Sequence, residues 1–340
     1  MKIHADNSQD LTEFIQVNIK MNAGNPNYIR PLDKDVKEVF DPSKNKALRQ
    51  GKIQRWLLKS DDGALLGRIA AFVNPKYTNK GDKVTPGGLG FFECIDDQEA
   101  ANLLFDTAKE WLAAEGKDAM DGPINMGERD KWWGLLVEGF HPAQYNINYN
   151  PPYYQKLFET YGFEVFYYQN CYGMSLEKDA QLDEKFYKTH AQFEANTDFE
   201  ARHFKKNQLE KFARDFCTVY NGAWAGHAGN KTMAEAQAIK IFRSMKPVIH
   251  EKLVWFVYHK ETPVAMWLNL PDINQIFKHM NGKFNLWSKL KFLYYKTFVP
   301  NHSFVGLVFG VVPEFQGTGV DSFMIVSGEA EIKKHTAFNQ

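Results

Sequence analysis

The chain has 340 residues, of which 44% are hydrophobic and 15% aromatic. This composition supplies packed cores for about two domains and excludes a disordered or collagen-like protein. Its 41 basic residues balance 41 acidic residues, so the formal net charge of zero argues against a general nucleic-acid-binding protein.

The first half of the chain is predicted to be a mixed α/β unit with the order β-β-β-α-β-α-β. Two apolar runs flank Asp61-Asp62-Gly63 and predict a hairpin, because an Asp-Gly pair readily adopts the positive φ that such turns need. A third strand over residues 88–95 leads into a helix over 96–115 that begins with acids. A helix that starts at the prolines of 151–152 and ends near residue 162, and a strand over 164–174, complete this half.

The second half repeats part of this pattern. After a charged connection and a first helix within 177–194, helices are predicted over 208–220 and 233–249. A hairpin follows with its turn at 260–263, and a strand over 304–312 precedes a glycine loop and a helix that ends near residue 334. The recurrence of hairpin, third strand, loop and helix predicts two domains, residues 1–175 and residues 176–340.

The most specific motif is Gln316-Gly317-Thr318-Gly319-Val320, which lies between a predicted buried strand and a helix. Glycines allow a tight turn and leave backbone N–H groups directed at the helix entrance, where the helix dipole favours a phosphate. The motif therefore predicts a pyrophosphate site. The alternative is that Gly317 and Gly319 only make a tight connection between strand and helix.

This segment resembles the acyl-CoA-binding motif of the GNAT N-acyltransferase superfamily, which reads Arg or Gln, two residues, Gly, one residue, and Gly or Ala. Gln316 and Gly319 fit the motif, whereas Asp321 stands at its last position and places an acid beside the expected pyrophosphate. Further blocks resemble those of a bacterial family of tandem GNAT-like proteins and cover most of the chain, at residues 122–140, 148–163, 270–275, 281–283 and 310–320. The resemblance implies a tandem GNAT-like fold with mixed α/β sheets, in which the second copy lacks its last strands.

The resemblance also implies an acyl-CoA-dependent N-acyltransferase, with acetyl as the expected acyl group and a small amine-bearing molecule as acceptor. The pantetheine of acetyl-CoA or another acyl-CoA would lie along the backbone of Val311 and Val312. Glu314 and Asp272 are candidate bases by position alone; the alternatives are a solvated loop acid and a helix N-cap, respectively. The pyrophosphate would rest on the loop residues Gln316, Gly317, Thr318, Gly319, Val320 and Asp321.

The first half offers no comparable loop, because residues 96–101 contain no glycine and three acids, which would repel a diphosphate. We expect this half to help shape the acceptor site. The charged and aromatic block around residue 130 suggests that Arg129 binds an anionic group and that Trp132 and Trp133 wall a pocket, with Tyr153 contributing a directional hydrogen bond. The alternatives are an interdomain interface for the block and helix capping for the tyrosine.

A segment over 278–297 mixes five lysines with aromatic residues. One interpretation is a helix that lies on an anionic membrane or binds a lipid-like substrate. The alternative is an amphipathic insertion whose aromatic face is buried. A catalytically inactive binding or structural protein derived from a GNAT fold is the alternative function, because Asp321 opposes a phosphate and no base is evident. Aminoacyl transfer from tRNA is disfavoured by the zero net charge.

The three cysteines are widely spaced and the histidines are scattered, so the sequence predicts neither a disulfide framework nor a metal site. The longest apolar run, 304–312, is about half a membrane span, and we expect a cytoplasmic protein without stable membrane insertion or a nucleic-acid partner. The sequence allows a homodimer. Because little chain follows the loop helix, the second domain is predicted to be C-terminally incomplete, with an exposed or borrowed strand edge beside residues 304–312.

Overall fold

The computed structural model describes residues 1–78, 83–127, 129, 131–224 and 232–340. These form two compact units. Unit 1 comprises Met1–Gln169 and Asn274–Tyr294, and unit 2 comprises Asn170–Ile273 and Tyr295–Gln340. The division after residue 169 lies close to the domain boundary suggested by the sequence, but a short segment of the second half is part of unit 1.

The described part of unit 1 contains a five-stranded sheet. Its elements from the first half of the chain are β1 (Lys2–Ala5), α1 (Thr12–Met21), α2 (Asp33–Phe40), β2 (Lys52–Lys59), β3 (Leu65–Val73), β4 (Pro86–Cys94), α3 (Gln98–Ala114), β5 (Ala119–Asp121) and α4 (Tyr154–Tyr161). The strands follow one another in chain order across the sheet. Strands β1 to β4 are antiparallel, and β5 runs parallel to β4.

Local signals in the sequence explain where several of these elements begin and end. Gly63 turns the β2–β3 hairpin with a φ of 85°, which costs a glycine nothing. Asp97 caps α3, since its side chain accepts a hydrogen bond of 2.8 Å from the amide of Ala100. Gly162 ends α4 in the left-handed conformation. The hairpin and these two helices are confirmed.

The sheet of unit 1 is covered on both faces. On one face α3 and α4 supply Phe105 and Phe158, which pack with Phe92 of β4 at ring-centroid distances of 4.6 to 5.0 Å. On the other face, Phe14 of α1 packs against β2 and β3 in a separate cluster. Both faces of β3 and β4 are therefore buried, and any charged side chain on these strands must find a partner inside the unit.

Two expectations for the first half were wrong. The sheet was expected to begin at the hairpin, but β1, α1 and α2 precede it in the chain. It also predicted a strand over residues 164–174, where the chain forms neither strand nor helix, and Phe166, Tyr168 and Tyr172 are exposed. The β-type composition of this segment is not sufficient, because a strand needs a paired neighbour and β5 at the sheet edge has only three residues.

The remaining elements are α5 (Glu184–Glu194), β6 (Phe199–His203), α6 (Leu209–Trp224), α7 (Glu235–Met245), β7 (Val254–His259), β8 (Thr262–Pro271), α8 (Asn274–Phe277), α9 (Leu286–Phe298), β9 (Phe304–Val311) and α10 (Val320–His335). Within the described residues of unit 2, β6, β7, β8 and β9 form a four-stranded antiparallel sheet in that order. Helices α6 and α7 cover one face of it and α10 the other. The β7–β8 hairpin, β9 and α10 form as predicted, whereas β6 was not predicted from the sequence.

Strand β9 is the last strand in this sheet order. Two of its apolar side chains, Leu307 and Phe309, are 49% and 41% exposed. The outer edge of β9 has no strand partner among the described residues of unit 2, where the prediction was an exposed or borrowed strand edge beside residues 304–312.

Candidate functional site

The glycine loop of unit 2 connects β9 to α10. Gly317 and Gly319 both adopt positive φ, 73° and 94°, and Val320 begins a helix of 16 residues. The amides of a first helical turn have no acceptor within their own helix. Gly319 at the cap position has no side chain that could accept a hydrogen bond from them. The start of α10 thus offers backbone N–H groups to an anion.

The structure explains the glycine at each of these two positions differently. A Cβ atom on Gly319 would collide with Cγ2 of Thr189 on α5, so the close packing of α5 against α10 requires a glycine there. A Cβ atom on Gly317 would meet no atom of the described residues within 4 Å. Only Gly317 therefore leaves space beside the loop, and tight packing accounts for part of the motif.

Side chains of the loop are held by the backbone before it. The side-chain amide Nε2 of Gln316 donates to the carbonyl of Val311 over 3.0 Å, and the hydroxyl of Thr318 donates to the carbonyl of Phe315 over 2.8 Å. The amide of Val312 donates to Val264 of the preceding strand over 2.9 Å. Because neighbouring residues of a strand turn their backbone groups to opposite sides, the amide of Val311 points to the open edge of β9 and that of Val312 does not.

The two candidate bases lie in different places. Glu314 is exposed in the short turn directly before the loop. Asp272 is buried, and its amide donates to the carbonyl of Ser303 over 2.9 Å. The β8–β9 register runs from Ala265 opposite Val311 to Pro271 opposite Phe304, so Asp272 lies at the far end of the ladder, about 20 Å from the loop at 3.3 Å per residue. The structure does not bring the two acids together.

A second site lies wholly within unit 1, where strand β4 contains a bulge. Arg68 of β3 is opposite Glu93, and Ala70 is opposite Gly90, so two residues of β4 oppose one residue of β3. Phe91 within the bulge has a φ of 50°. A bulge re-aims the side chains beside it, and here it is followed directly by Glu93.

Strand β5 follows β4 for only part of its length. The pairing ends at Gly88 opposite Asp121, with one further hydrogen bond of 2.7 Å from Ile124 to Leu89. Beyond this point β4 continues to Cys94 without β5. A cavity of about 60 Å³ lies beside this segment of β4.

Glu93 lines this cavity and is only 5% exposed. One carboxylate oxygen accepts hydrogen bonds from the side-chain amide of Asn18 and, over 3.3 Å, from the guanidinium of Arg68. The other accepts from the hydroxyl of Tyr154 over 2.8 Å. Tyr28 in turn donates to the Asn18 oxygen over 2.6 Å. Every one of these side chains lines the cavity.

Burial raises the pKa of Glu93 above its ordinary value, although the charge of Arg68 and the hydrogen bonds from Tyr154 and Asn18 act in the opposite direction. Arg68 is 4% exposed, and its guanidinium also donates to the carbonyl of Phe14 over 2.7 Å. Its Nε has no hydrogen-bond partner within the described residues. The side-chain oxygen of Asn146, also on the cavity wall, is likewise buried and without a partner there. The cavity thus offers a donor and an acceptor that a bound molecule can satisfy.

The predicted acceptor residues are only partly at this cavity. Trp132 lines it, but the guanidinium of Arg129 lies 5.3 Å above the ring of Trp133, and Trp133 packs against Tyr77. Tyr153 donates to the carbonyl of Cys94 over 2.7 Å. Glu128 and Asp130, the acidic neighbours of Arg129, lie outside the described residues.

Sequence reasoning missed Glu93 and Arg68. The available signal was one acid in the apolar run Gly-Leu-Gly-Phe-Phe-Glu-Cys and one base in Leu-Leu-Gly-Arg-Ile-Ala-Ala. Opposite charges within two adjacent buried strands indicate a buried ion pair, because an unpaired charge there would be too costly.

The end of β4 in unit 1 is already occupied by the chain's own side chains. The amide of Cys94 donates to Tyr154 over 2.9 Å, and its carbonyl accepts from Tyr153. Asp97 caps the helix that follows. That the first half does not bind a diphosphate stays a prediction.

Within the described ranges, no group of three or more His, Cys, Asp or Glu side chains is arranged to hold a metal ion. In the same ranges, no helix combines the length and the apolar character needed to cross a bilayer.

No protein-family model matches the chain. Among solved structures, a GCN5-related glucosamine N-acetyltransferase region of a fungal multi-domain GH3 β-N-acetylglucosaminidase superposes with a TM-score of 0.50 over 99% of this chain, at 11% identity. This chain spans 35% of that protein. The chain has a tandem GNAT-like fold.

Two relatives share low sequence identity with this tandem GNAT-like chain over most of its length. A protein named bacterial ceramide synthase from Caulobacter vibrioides is 25% identical over 284 residues, which cover 83% of this chain and 73% of the relative. Protein YghO from Escherichia coli is 24% identical over 287 residues, covering 84% of this chain and 72% of that protein.

Proposed function

We propose that the protein is an N-acyltransferase that moves an acyl group from acyl-CoA to the nitrogen of an amine. The tandem GNAT-like fold supports acyl transfer as the class of reaction. The observation that carries the proposal is Glu93, a buried carboxylate that faces a cavity at the point where β4 runs on without β5. Such a carboxylate is suited to accept a proton from an amine.

The chemistry requires one proton acceptor. The acyl-CoA supplies an activated acyl carbon; a C–N bond forms there as the thioester C–S bond breaks, and CoA leaves as the thiolate, which then takes up a proton from solvent. The proton lost by the attacking nitrogen passes to the carboxylate of Glu93. Asn18 and Tyr154 each donate to one of its oxygens, so both are positioning residues that fix the direction in which it accepts the proton.

As a separate proposal, the glycine loop of unit 2 binds the pyrophosphate of an acyl-CoA. The open first turn of α10 and the space beside Gly317 suit a pyrophosphate. The outward N–H group of Val311 is suited to donate a hydrogen bond to an amide carbonyl of pantetheine. Asp321 in the first turn of α10 disfavours pyrophosphate binding, because its carboxylate would lie near the phosphates. Gln316 and Thr318 shape the loop through their bonds to the backbone.

For the acceptor we propose an amine that enters the cavity of unit 1. Asn146 offers an oxygen to an ammonium or hydroxyl group, and Trp132 offers an apolar wall. A small amine is the acceptor suggested by the sequence. The name of the Caulobacter relative favours a second candidate, a long-chain amino alcohol, since ceramides are N-acylated lipids of that kind.

The test is release of the CoA thiol by the purified protein, with acetyl-CoA or palmitoyl-CoA and a panel that contains small amines and long-chain amino alcohols. Glu93→Gln is expected to lower kcat by roughly 100-fold or more, the usual contribution of a positioned general base. Glu159→Gln, an exposed position on α4 of the same unit, is the matched control and should leave kcat unchanged. An unchanged kcat in Glu93→Gln would contradict the role of Glu93.

The alternative, a catalytically inactive binding protein, is favoured by Asp321 beside the loop and by the tyrosines that occupy the end of β4. The two functions differ in a simple measurement. If neither acyl-CoA raises the melting temperature and no amine in the panel releases thiol, the transferase proposal is wrong.

A further inference from the structure

Helix α9 carries an unusual exposed face. Leu286, Trp287, Leu290 and Leu293 are 73%, 75%, 51% and 59% exposed. With 3.6 residues per turn these four positions share one side of the helix, within an arc of about 120°. Soluble proteins seldom leave a contiguous apolar surface of this kind open to water, and where one occurs it marks an interaction site.

The opposite side of α9 is the one that packs. Ser288 is buried, and its amide and hydroxyl both donate to the side chain of Asn285 before the helix. The ring of Phe292 lies 6.0 Å from that of Phe277 within unit 1. The helix is therefore anchored through one side, and its apolar residues on the other side are not the part that holds it in place.

Charge is distributed just as unevenly. Residues 273–313 contain no aspartate or glutamate. Around the helix axis, Lys289 and Lys296 border the apolar face on one side and Lys291 borders it on the other, by the same spacing. The remaining lysines of this stretch are Lys278 and Lys283.

We infer that α9 is a membrane-docking helix that lies in the interface of a bilayer containing anionic lipids. Its leucines and tryptophan enter the boundary between headgroups and acyl chains, while the flanking lysines contact the anionic headgroups; this is the arrangement of an interfacial amphipathic helix. A second copy of the chain is a poorer occupant, because pairing two such faces would bring lysines together with no acid in the segment to balance them. The inference goes beyond the proposed function and is tested without acyl-CoA or amine.

The experiment is co-sedimentation of the full chain with vesicles of phosphatidylcholine alone and of phosphatidylcholine with about 30 mol% phosphatidylglycerol, a typical anionic surface. The wild type should sediment with the anionic vesicles and far less with the neutral ones. Trp287→Ser/Leu290→Ser should abolish binding to both. Lys289→Gln/Lys291→Gln/Lys296→Gln should weaken binding to anionic vesicles at least about tenfold, and added salt should reproduce that loss in the wild type.

The matched control is Leu103→Ser/Lys109→Gln on α3, which changes an exposed leucine and an exposed lysine of another helix and should leave vesicle binding unaltered. Leu286→Ser/Leu293→Ser is a second apolar variant in case the first one fails to fold, as judged by its melting temperature. The inference is overturned if the wild type stays in the supernatant with anionic vesicles, or if both apolar variants still bind. It is also overturned if the wild type is a dimer that the apolar variants convert to a monomer without loss of vesicle binding.

Discussion

Glu93 illustrates how one residue combines a structural and a chemical role. Its carboxylate is held by Asn18, Arg68 and Tyr154 inside a unit whose sheet is buried on both faces. Burial favours the neutral acid, whereas the guanidinium and the hydrogen bonds favour the anion. The balance leaves the pKa of Glu93 raised above its ordinary value, with burial as the largest cause.

This raised pKa predicts the pH dependence of acyl transfer. Glu93 accepts a proton only when ionised, so kcat should rise with pH as the pH passes upward through its pKa, above the ordinary value of 4.5. A rate profile between about pH 4 and pH 9 measures this, because that range spans the ordinary and the raised pKa values of a carboxyl group. Glu93→Gln should lose this acidic limb, and a limb that persists in that variant would assign it to another group.

Asp321 gives a second prediction at the scale of a single residue. Its carboxylate in the first turn of α10 interacts favourably with the positive end of the helix dipole and so stabilises the helix, but it would repel a bound pyrophosphate. Asp321→Asn should therefore lower the free energy of unfolding by about 0.3 to 1 kcal/mol and tighten CoA binding by about two- to five-fold. Thermal unfolding and calorimetric titration with CoA measure the two effects. A fall in stability with unchanged CoA affinity would show that phosphates do not lie beside this carboxylate.

At the scale of elements, the contact between α5 and α10 decides how the glycine loop can be read. Gly319 is required both by its φ of 94° and by the closeness of Thr189 on α5, whereas Gly317 is required by its φ alone. The two glycines look equivalent in the sequence, but only the structure separates backbone conformation from interhelix packing.

The pair makes a direct comparison possible. Gly317→Ala should lower the free energy of unfolding by about 1 kcal/mol, because a residue with a side chain is strained at positive φ. Gly319→Ala should lower it further, because a side chain is also forced against Thr189. Adding Thr189→Ala to Gly319→Ala should recover the packing part alone. Melting temperatures of the four proteins test this, and equal losses for the two single variants would mean that α5 simply moves aside.

The strand predicted over residues 164–174 does not form, and the reason lies in how strands pair. Residues 164–174 have aromatic and β-branched side chains that favour a strand, but pairing is a property of two segments and β5 is short. The hairpins formed as predicted because both partners and the turn lie within about 20 residues of each other, so the turn residues alone set the geometry.

At the scale of the whole molecule, the two units are not simply consecutive halves. The segment Asn274–Tyr294 comes from the second half but belongs to unit 1. Its Gly282 accepts a hydrogen bond of 2.8 Å from the amide of Asp33, and Phe277 packs edge-on against Tyr145 at 5.2 Å. The chain therefore returns to unit 1 before it completes the sheet of unit 2 with β9.

This interleaving predicts the behaviour of a cut chain. A protease site placed between Gln169 and Asn170, in an exposed stretch without secondary structure, should give two fragments that still elute together, because the second fragment supplies part of unit 1. Phe277→Ala should weaken that association, since truncating a buried phenylalanine costs about 3 to 5 kcal/mol. Phe166→Ala, at an exposed position, serves as control. Size-exclusion chromatography after cleavage measures the result, and separation of the wild-type fragments in native buffer would contradict it.

The sequence by itself determined the features that depend on neighbouring residues. The Asp-Gly turn, the Asp97 cap, the glycine that ends α4, the loop before α10 and the resemblance to a tandem GNAT-like fold all follow from short stretches, because turn and cap geometry is set by a few adjacent side chains. Only the tertiary structure decided what depends on residues far apart in the chain. It placed Arg68 against Glu93, separated Asp272 from the glycine loop, assigned Gly319 to packing and brought Asn274–Tyr294 into unit 1. Burial and pairing across distant segments set these relationships, and no local pattern of residues encodes them alone.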